Sequence, residues 1–382
     1  MSIAQTGPLA AAGRAALVAF RMWVEDVNAR GGLLGRTVEL LAYDDQGSVS
    51  ATPALYAKLL DVDQVDLLIA PYGTAPTASL MGMVKSRARL LMGNFSFQVN
   101  HVVRHELWFN NAPWKDAKSF SQGFFRLGRE LGAGSVAFLA ADNEFGQSLA
   151  DGARALAQRS GLKILYDQNY PPGNSDFSSM IRAIRAARPD MVYVMSYPAE
   201  SVLIVRALGE IGVGPSVRIF GGGMVGLQYT SLMESLGPAL NGIVNYNTYV
   251  PGIAYEGIEA FLSRYSQRAI EAKVDPLGFY LPPFAYAIGQ MLEQAVGATR
   301  SLQDAALAEY LRANEMKTIV GPIRFGPDGE WAEPRVITTQ FQGVKDRNLE
   351  QFRKPGVQVI LHPEKLKKGQ LKAPFEQART AT

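Results

Sequence analysis

The chain has 382 residues, no cysteine, and 38 basic against 35 acidic side chains, a formal charge of +3. With 47% hydrophobic and 19% charged residues it is a folding sequence long enough for two domains, which excludes a mainly disordered chain. The absence of cysteine excludes disulfides, thiol catalysis and zinc–thiolate or cysteine-ligated iron–sulfur sites. From Lys345 onward nine Lys/Arg face four Asp/Glu, a surplus of five that leaves the rest of the chain at −2. A nucleic-acid binder would place its basic residues around recognition elements, with aromatics among them. A surplus confined to a terminal segment reads instead as a solvated surface, so nucleic acid is not an expected partner. No apolar run approaches the ~20 residues of a membrane span, so stable membrane insertion is not expected. Met1–Gly7 shows no signal-peptide n-region or h-region.

In chain order, short apolar strands alternate with amphipathic helices. Leu17, Phe20, Val24 and Val27 form one helical stripe that Gly31-Gly32 ends. Val38–Tyr43 reads as a strand, followed by Asp44-Asp45 and a helix over Ser50–Leu60. Leu67–Ile69 is a buried strand, Thr77–Ser86 a helix and Leu90–Met92 a strand. The pattern restarts after Trp114: helix Ala117–Leu131, strand Val136–Leu139, helix Phe145–Ser160, strand Lys163–Tyr170. Asn174-Ser175-Asp176 is a helix-start cluster before the stripe Phe177, Met180, Ile181 and Ile184. Strand Met191–Met195, a helix to Ile211, and strands Val217–Phe220 and Ile243–Tyr246 complete a second unit. Helices near Tyr255–Ala272 and Leu281–Gly297 follow, then a hairpin around Pro322–Pro334 and an irregular C-terminal wrap. The strand–helix alternation predicts an α/β fold of mainly parallel sheets flanked by helices.

Enzyme signatures are sparse. His101 and His105 have i, i+4 spacing, but His-Val-Val-Arg-His lacks the glutamate of a metalloprotease helix, and two histidines do not fill a zinc site. Gly221-Gly222-Gly223-Met224-Val225-Gly226 satisfies G-x-G-x-x-G, yet the next strand ends in Asn245-Tyr246-Asn247 without the acidic ribose partner. Close backbone approach at a strand-to-helix turn explains those glycines better. Asp44-Asp45 reads as capping and loop bracing. No catalytic constellation, metal site or cofactor is expected. Aromatics, by contrast, gather at element ends: Tyr72, Phe95, Phe97, Phe145, Tyr197, Tyr246 and Phe279. In open α/β sheets ligands bind beyond the carboxyl ends of strands, so this grouping favours an apolar or aromatic small molecule.

Thr6-Gly7-Pro8-Leu9-Ala10, Val24–Arg36 with its Asn28-Ala29-Arg30-Gly31-Gly32, and Tyr43-Asp44-Asp45 resemble the opening of branched-chain amino-acid-type solute-binding proteins of ABC transporters. The likeness continues through Phe145-Gly146-Gln147, Pro172-Gly173, Asp176–Ser179 and Pro189-Asp190 to Val320-Gly321-Pro322 and Asp328-Gly329. It implies a periplasmic receptor of the two-lobed type I fold that closes about three hinge crossings and partners an ABC permease. The crossings it implies lie near Trp114–Lys118, Asn247–Pro251 and Phe325–Trp331. The lobes become 1–116 plus 249–327, and 117–248 plus 328–382. It further implies that Thr74 and the helix start beside it hold a ligand carboxylate, that Phe95 and Phe97 fall at contact positions of the next loop after Asn94, and that Phe95, Phe97, Phe145, Tyr197 and Phe279 are pocket aromatics that sandwich the ligand.

The acidic residue that pairs with an amino acid's ammonium aligns with Gly223, and a pocket-closing aromatic aligns with Ala12. An unpaired buried ammonium is costly, so an aromatic or apolar carboxylate is the expected ligand rather than an amino acid. A branched-chain or aromatic amino-acid binder, and a cytosolic amide-type sensor of the same fold, are the alternatives. A half-cystine pair of some relatives aligns with Gly47 and Gly73, and the shortened first strand at Ile3-Ala4 implies an upstream truncation.

Overall fold

Strands buried on both faces and joined by amphipathic helices close as layered α/β units. The computed structural model describes residues 1–380 and divides into two such units. Unit 1 comprises Met1–Lys115 and Ala254–Pro334, and unit 2 comprises Asp116–Ile253 and the chain from Arg335 onward. The chain therefore passes from one to the other three times.

Unit 1 opens with α1 (Ala10–Ala29), whose Leu17, Phe20 and Val27 are buried while Val24 is half-buried. Gly31 and Gly32, at φ +99° and +73°, end it, and Gly32 N–H donates to Val27 O at 2.9 Å. α2 (Thr52–Ala57) runs into a π-helical turn, Lys58–Val62. Then come β1 (Ile69–Tyr72), α3 (Thr74–Ser86), β2 (Leu91–Asn94), α4 (Asn100–Val103) and β3 (Trp108–Asn111). The three strands form one parallel sheet in the order β1-β2-β3. Beneath it Tyr56, Leu59, Leu68, Leu80, Met81 and Trp108 form a closed apolar core.

Unit 2 begins at α5 (Ala117–Glu130), followed by β4 (Ser135–Ala141), α6 (Glu144–Arg159), β5 (Lys163–Tyr170), α7 (Ser178–Ala187), β6 (Met191–Ser196), α8 (Pro198–Ile211), β7 (Ile219–Met224), α9 (Thr230–Leu236) and β8 (Val244–Asn247). The chain then returns to unit 1 for α10 (Ile258–Ala272), α11 (Pro282–Thr299) and α12 (Asp304–Ala313). α11 packs on α1 so closely that a Cβ on Gly289 would stand 2.1 Å from the Trp23 ring. Unit 2 ends with β9 (Ile337–Phe341), β10 (Gln358–His362) and α13 (Phe375–Thr380). Its seven-stranded sheet has the order β10-β9-β8-β7-β6-β4-β5, with β9 antiparallel to both neighbours and the rest parallel.

Three expectations change. Val38–Tyr43 is not a strand; it makes a single parallel bridge, Tyr43 to Ser2, because only Met1–Ile3 run beside it. The hairpin around Pro322–Pro334 reduces to isolated bridges, Met316 to Ile323 and Phe325 to Trp331, turned by Gly326–Glu330. That turn is tied to β3 by Asn110 N–H donating to Gly329 O at 2.8 Å, and the last passage between units falls beyond it, after Pro334. The C-terminal wrap is not irregular: β9 and β10 lie inside it, with Ile337, Phe341, Ile360 and Leu361 buried.

Candidate ligand-binding site

In each unit the sequence-selected residues sit at or near element ends. In unit 1, Tyr72 ends β1 and Asn94 ends β2, and these two are register partners, as are Asn94 and Asn111 of β3. Gly73, at φ +101°, turns the chain from β1 into α3, whose first residue is Thr74. The Thr74 hydroxyl oxygen accepts from Phe97 N–H at 3.1 Å, which ties the start of α3 to the loop after β2. Thr77 clamps the same corner by donating to Gly73 O at 2.7 Å. The leading N–H groups of α3 lie beyond the reach of its own carbonyls, and no side chain caps them. This corner can therefore meet an anion with a hydroxyl and backbone amides.

Asn94 is fully buried, yet neither its amide nitrogen nor its oxygen has a hydrogen-bond partner. Its neighbour Asn111 donates to Phe284 O at 2.7 Å but leaves Oδ1 unmatched. Each unmatched buried polar atom costs about 1–3 kcal/mol, so this polar row at the strand ends favours a solute or water that carries both donor and acceptor groups.

Phe95, at φ +58° and 4% exposed, meets Trp114, Tyr280 and Phe284 edge to face at centroid distances of 5.0, 5.2 and 4.8 Å. Tyr280 also joins its hydroxyl to that of Tyr72 at 3.2 Å. Phe97 packs on Trp114 at 6.3 Å, and Phe279 is nearly buried beside Tyr280. Trp114, Tyr280 and Phe284 thus belong to the aromatic group although sequence reading did not select them. Tyr280 and Phe284 flank the Leu281-Pro282-Pro283 helix start, a signal that was available.

In unit 2, Phe145 lies in the first turn of α6, whose cap Asn143 accepts from Gly146 N–H at 2.9 Å, and Tyr197 caps α8 just after β6. Their rings stand 5.8 Å apart, and both are only half-buried, so both can meet a solute. Phe120 of α5, not anticipated, joins Phe145 at 6.1 Å to Tyr246 at 4.4 Å; Tyr246 itself is buried within β8. Gly223 lies inside β7, where a Cβ would stand 3.0 Å from Leu149 Cδ2 and 3.1 Å from Met195 Cγ, a space that holds no carboxylate side chain. Glu200, in the first turn of α8, is buried with Oε2 unmatched, while Gly173 N–H approaches Oε1 at 3.5 Å.

The remaining motifs take structural roles. The glycine run is not at a strand-to-helix turn as expected but within β7: a Cβ on Gly221 would stand 1.9 Å from Val244 O, and one on Gly222 2.3 Å from the Tyr193 ring. The Asp44 carboxylate accepts from Gln5 N–H, Gln46 N–H and the Thr6 hydroxyl, and Asp45 from the Ser2 hydroxyl and Gly47 N–H, which braces the opening loop. His101 and His105 lose their helical relation because α4 ends at Val103 with Arg104 left-handed. His105 Nε2 lies 2.8 Å from Arg89 O. No cluster of three or more His, Cys, Asp or Glu among the described residues is arranged for a metal ion. Ala12 is buried in the first turn of α1. Gly47 and Gly73 flank one side chain, with Cβ positions 3.3 and 3.6 Å from Leu9 Cδ1.

Comparison with known proteins adds three findings. The sequence profile described as Periplasmic binding protein matches residues 1–344. A Brucella abortus protein named Leu/Ile/Val-binding protein homolog 7 is 24% identical over 359 residues, covering 89% of this chain and 88% of its own. Two solved structures share the fold. The branched-chain amino acid transporter substrate binding protein LivJ of Streptococcus pneumoniae, in complex with isoleucine, has a TM-score of 0.75 and 16% identity over 91% of this chain and 95% of its own. A solute binding protein of an ABC transporter from Rhodopseudomonas palustris BisB5, in complex with 3,4-dihydroxy benzoic acid, has a TM-score of 0.77 and 16% identity over 90% and 92%.

Proposed function

The chain belongs to the periplasmic binding protein family, and from that premise we propose that it is the solute-binding receptor of an ABC importer of the branched-chain amino-acid type, with an aromatic carboxylate as its ligand. It acts in the periplasm and hands its ligand to an ABC permease. The observation that carries the ligand class is the corner of unit 1 where the Thr74 hydroxyl and the uncapped start of α3 lie next to the strand end that bears the unmatched Asn94 amide. In this reading Thr74 and the α3 amides hold the carboxylate, and Asn94 takes a ring substituent that both donates and accepts. The half-buried Phe145–Tyr197 pair of unit 2 offers an aromatic face of its own. The glycine at position 223 brings no counter-charge for an ammonium, which disfavours amino acids. That a structural neighbour holds a dihydroxybenzoate makes such a ligand compatible with the fold.

A second reading, an α-amino acid, rests on Glu200, whose buried carboxylate has one oxygen unmatched. One thermal-shift panel separates the two. Benzoates, hydroxybenzoates, phenylacetates and cinnamates should raise the melting temperature, while leucine and phenylalanine should not. Stabilisation by leucine alone, abolished by Glu200→Gln, would establish the amino-acid reading and overturn the aromatic one.

A further inference from the structure

The loop Phe95–Phe97 is held from behind by a chain of hydrogen bonds that ends on a buried carboxylate away from the strand ends. Glu330 is 3% exposed, and each of its oxygens accepts one neutral donor: Oε1 from Trp108 Nε1 at 3.2 Å and Oε2 from Asn110 Nδ2 at 2.8 Å. The same Asn110 nitrogen donates its second hydrogen to Ser96 O at 2.8 Å, while Asn110 Oδ1 accepts from Ser96 N–H at 3.4 Å. Ser96 then donates its hydroxyl to Thr77 at 2.9 Å, and its carbonyl also accepts from Trp114 Nε1 at 3.1 Å. Two neighbours of Ser96, Phe95 and Phe97, are the loop's aromatics.

An amide can rotate by half a turn and exchange its donor and acceptor ends at little steric cost. Here the carboxylate reinforces the orientation that the Ser96 peptide selects: Nδ2 faces Glu330 Oε2 and Ser96 O, and Oδ1 faces Ser96 N–H. A buried carboxylate with no cationic partner is expensive to maintain, and packing alone does not call for one at this position.

We propose, resting on the reading of the Thr74–Asn94 corner as the ligand site, that Glu330 is a positioning residue: through Asn110 it fixes the conformation of the loop Phe95–Phe97, whose Phe97 N–H holds the Thr74 hydroxyl, and so sets ligand affinity. Burial pushes the Glu330 carboxyl up to about 8 against the pull of its two donors, and the Asp328 charge adds to the rise. The carboxyl therefore changes charge within an accessible range. The ionised form gives both donors a charged acceptor and holds Asn110 most firmly. Glu330 and Asp328 share a cavity of about 400 Å³ with His101, Arg104, His105 and Glu106, and burial holds the His105 imidazole below its ordinary range.

The test compares the full-length wild type, Glu330→Gln and a His101→Gln control between pH 6.5 and 9. Calorimetric titration with 4-hydroxybenzoate is paired with ¹⁹F NMR of protein labelled with 5-fluorotryptophan, the Trp114 resonance being assigned by Trp114→Phe. Wild type and His101→Gln should bind at least threefold more tightly at pH 9 than at pH 6.5, with the Trp114 resonance shifting over the same range. In Glu330→Gln the new amide opposes either Trp108 or Asn110 with a donor, so affinity should fall at least fivefold, with a flat pH profile and a fixed resonance. A pH profile that survives Glu330→Gln overturns the proposal, and so does a Trp114 resonance indifferent to pH and substitution. A lowered melting temperature with unchanged affinity, profile and resonance marks a purely structural carboxylate and also overturns it. If no aromatic acid binds either protein, the ligand reading fails, and the Trp114 resonance still decides whether Glu330 sets the loop.

Discussion

At φ +112°, Gly222 occupies backbone space that an L side chain enters at a cost, and a Cβ there would lie 2.3 Å from Tyr193 Cε2. Tyr193 cannot step aside: it is fully buried, joined to the Ser121 hydroxyl at 2.5 Å and packed edge to face on Phe124 at 5.0 Å. Gly222→Ala should therefore destabilise the protein by about 2–5 kcal/mol, combining backbone strain with overpacking, as read from urea midpoints. Tyr197 differs because it is half-buried and touches Phe145 at an element end. Tyr197→Ala should leave the urea midpoint nearly unchanged while weakening an aromatic ligand about tenfold or more by calorimetry, since an aromatic pair adds about 0.5–1.5 kcal/mol beyond the area it buries. Wild-type affinity in that variant would remove Tyr197 from the site.

At the scale of elements, the starts of helices carry most of the organisation around the strand ends. α5 opens with a reciprocal cap: Ser119 N–H donates to the Asp116 carboxylate at 2.7 Å, and Asp116 N–H donates to Ser119 Oγ at 2.9 Å. Asp116→Ala should cost about 1 kcal/mol in urea denaturation, and Asp116→Asn should recover most of it, because both side chains accept from the helix start. Helix stripes, glycine stops and polar helix starts were legible in the sequence because they depend on neighbours three or four residues away. The Asp176 signal before α7 illustrates this, with its carboxylate accepting from Ser178 N–H at 2.8 Å. Val38–Tyr43 departs from the expected strand for the opposite reason. Its apolar alternation suits a strand, but a strand needs a partner, and only Met1–Ile3 run alongside. β9 and β10 escape the local pattern because Pro, Gly and Lys around them signal loops, while the ladder to β8 comes from about ninety residues upstream.

For the whole molecule, ligand binding and stability are linked. A ligand at a hundred times its dissociation constant stabilises the folded state by about 2.7 kcal/mol, which for units of this size, at about 2–4 °C per kcal/mol, corresponds to a rise of roughly 5–11 °C. That is the size of shift the aromatic acids should give in the thermal panel, and a non-ligand should give none. Periodicity, caps and motif spacing, all local properties of the chain, suffice for the α/β class, the family and the aromatics at element ends. The family resemblance pairs Gly47 with Gly73, and both lie against Leu9. Which aromatics are packed away and which are partly open is set by tertiary packing. The same packing puts Trp114, Tyr280 and Phe284 around Phe95, leaves the Asn94 amide unmatched, and brings Glu330 to Asn110 across 220 residues of chain. Those contacts join segments distant in sequence, and burial and hydrogen-bond satisfaction are properties of packed neighbours, which no local pattern encodes.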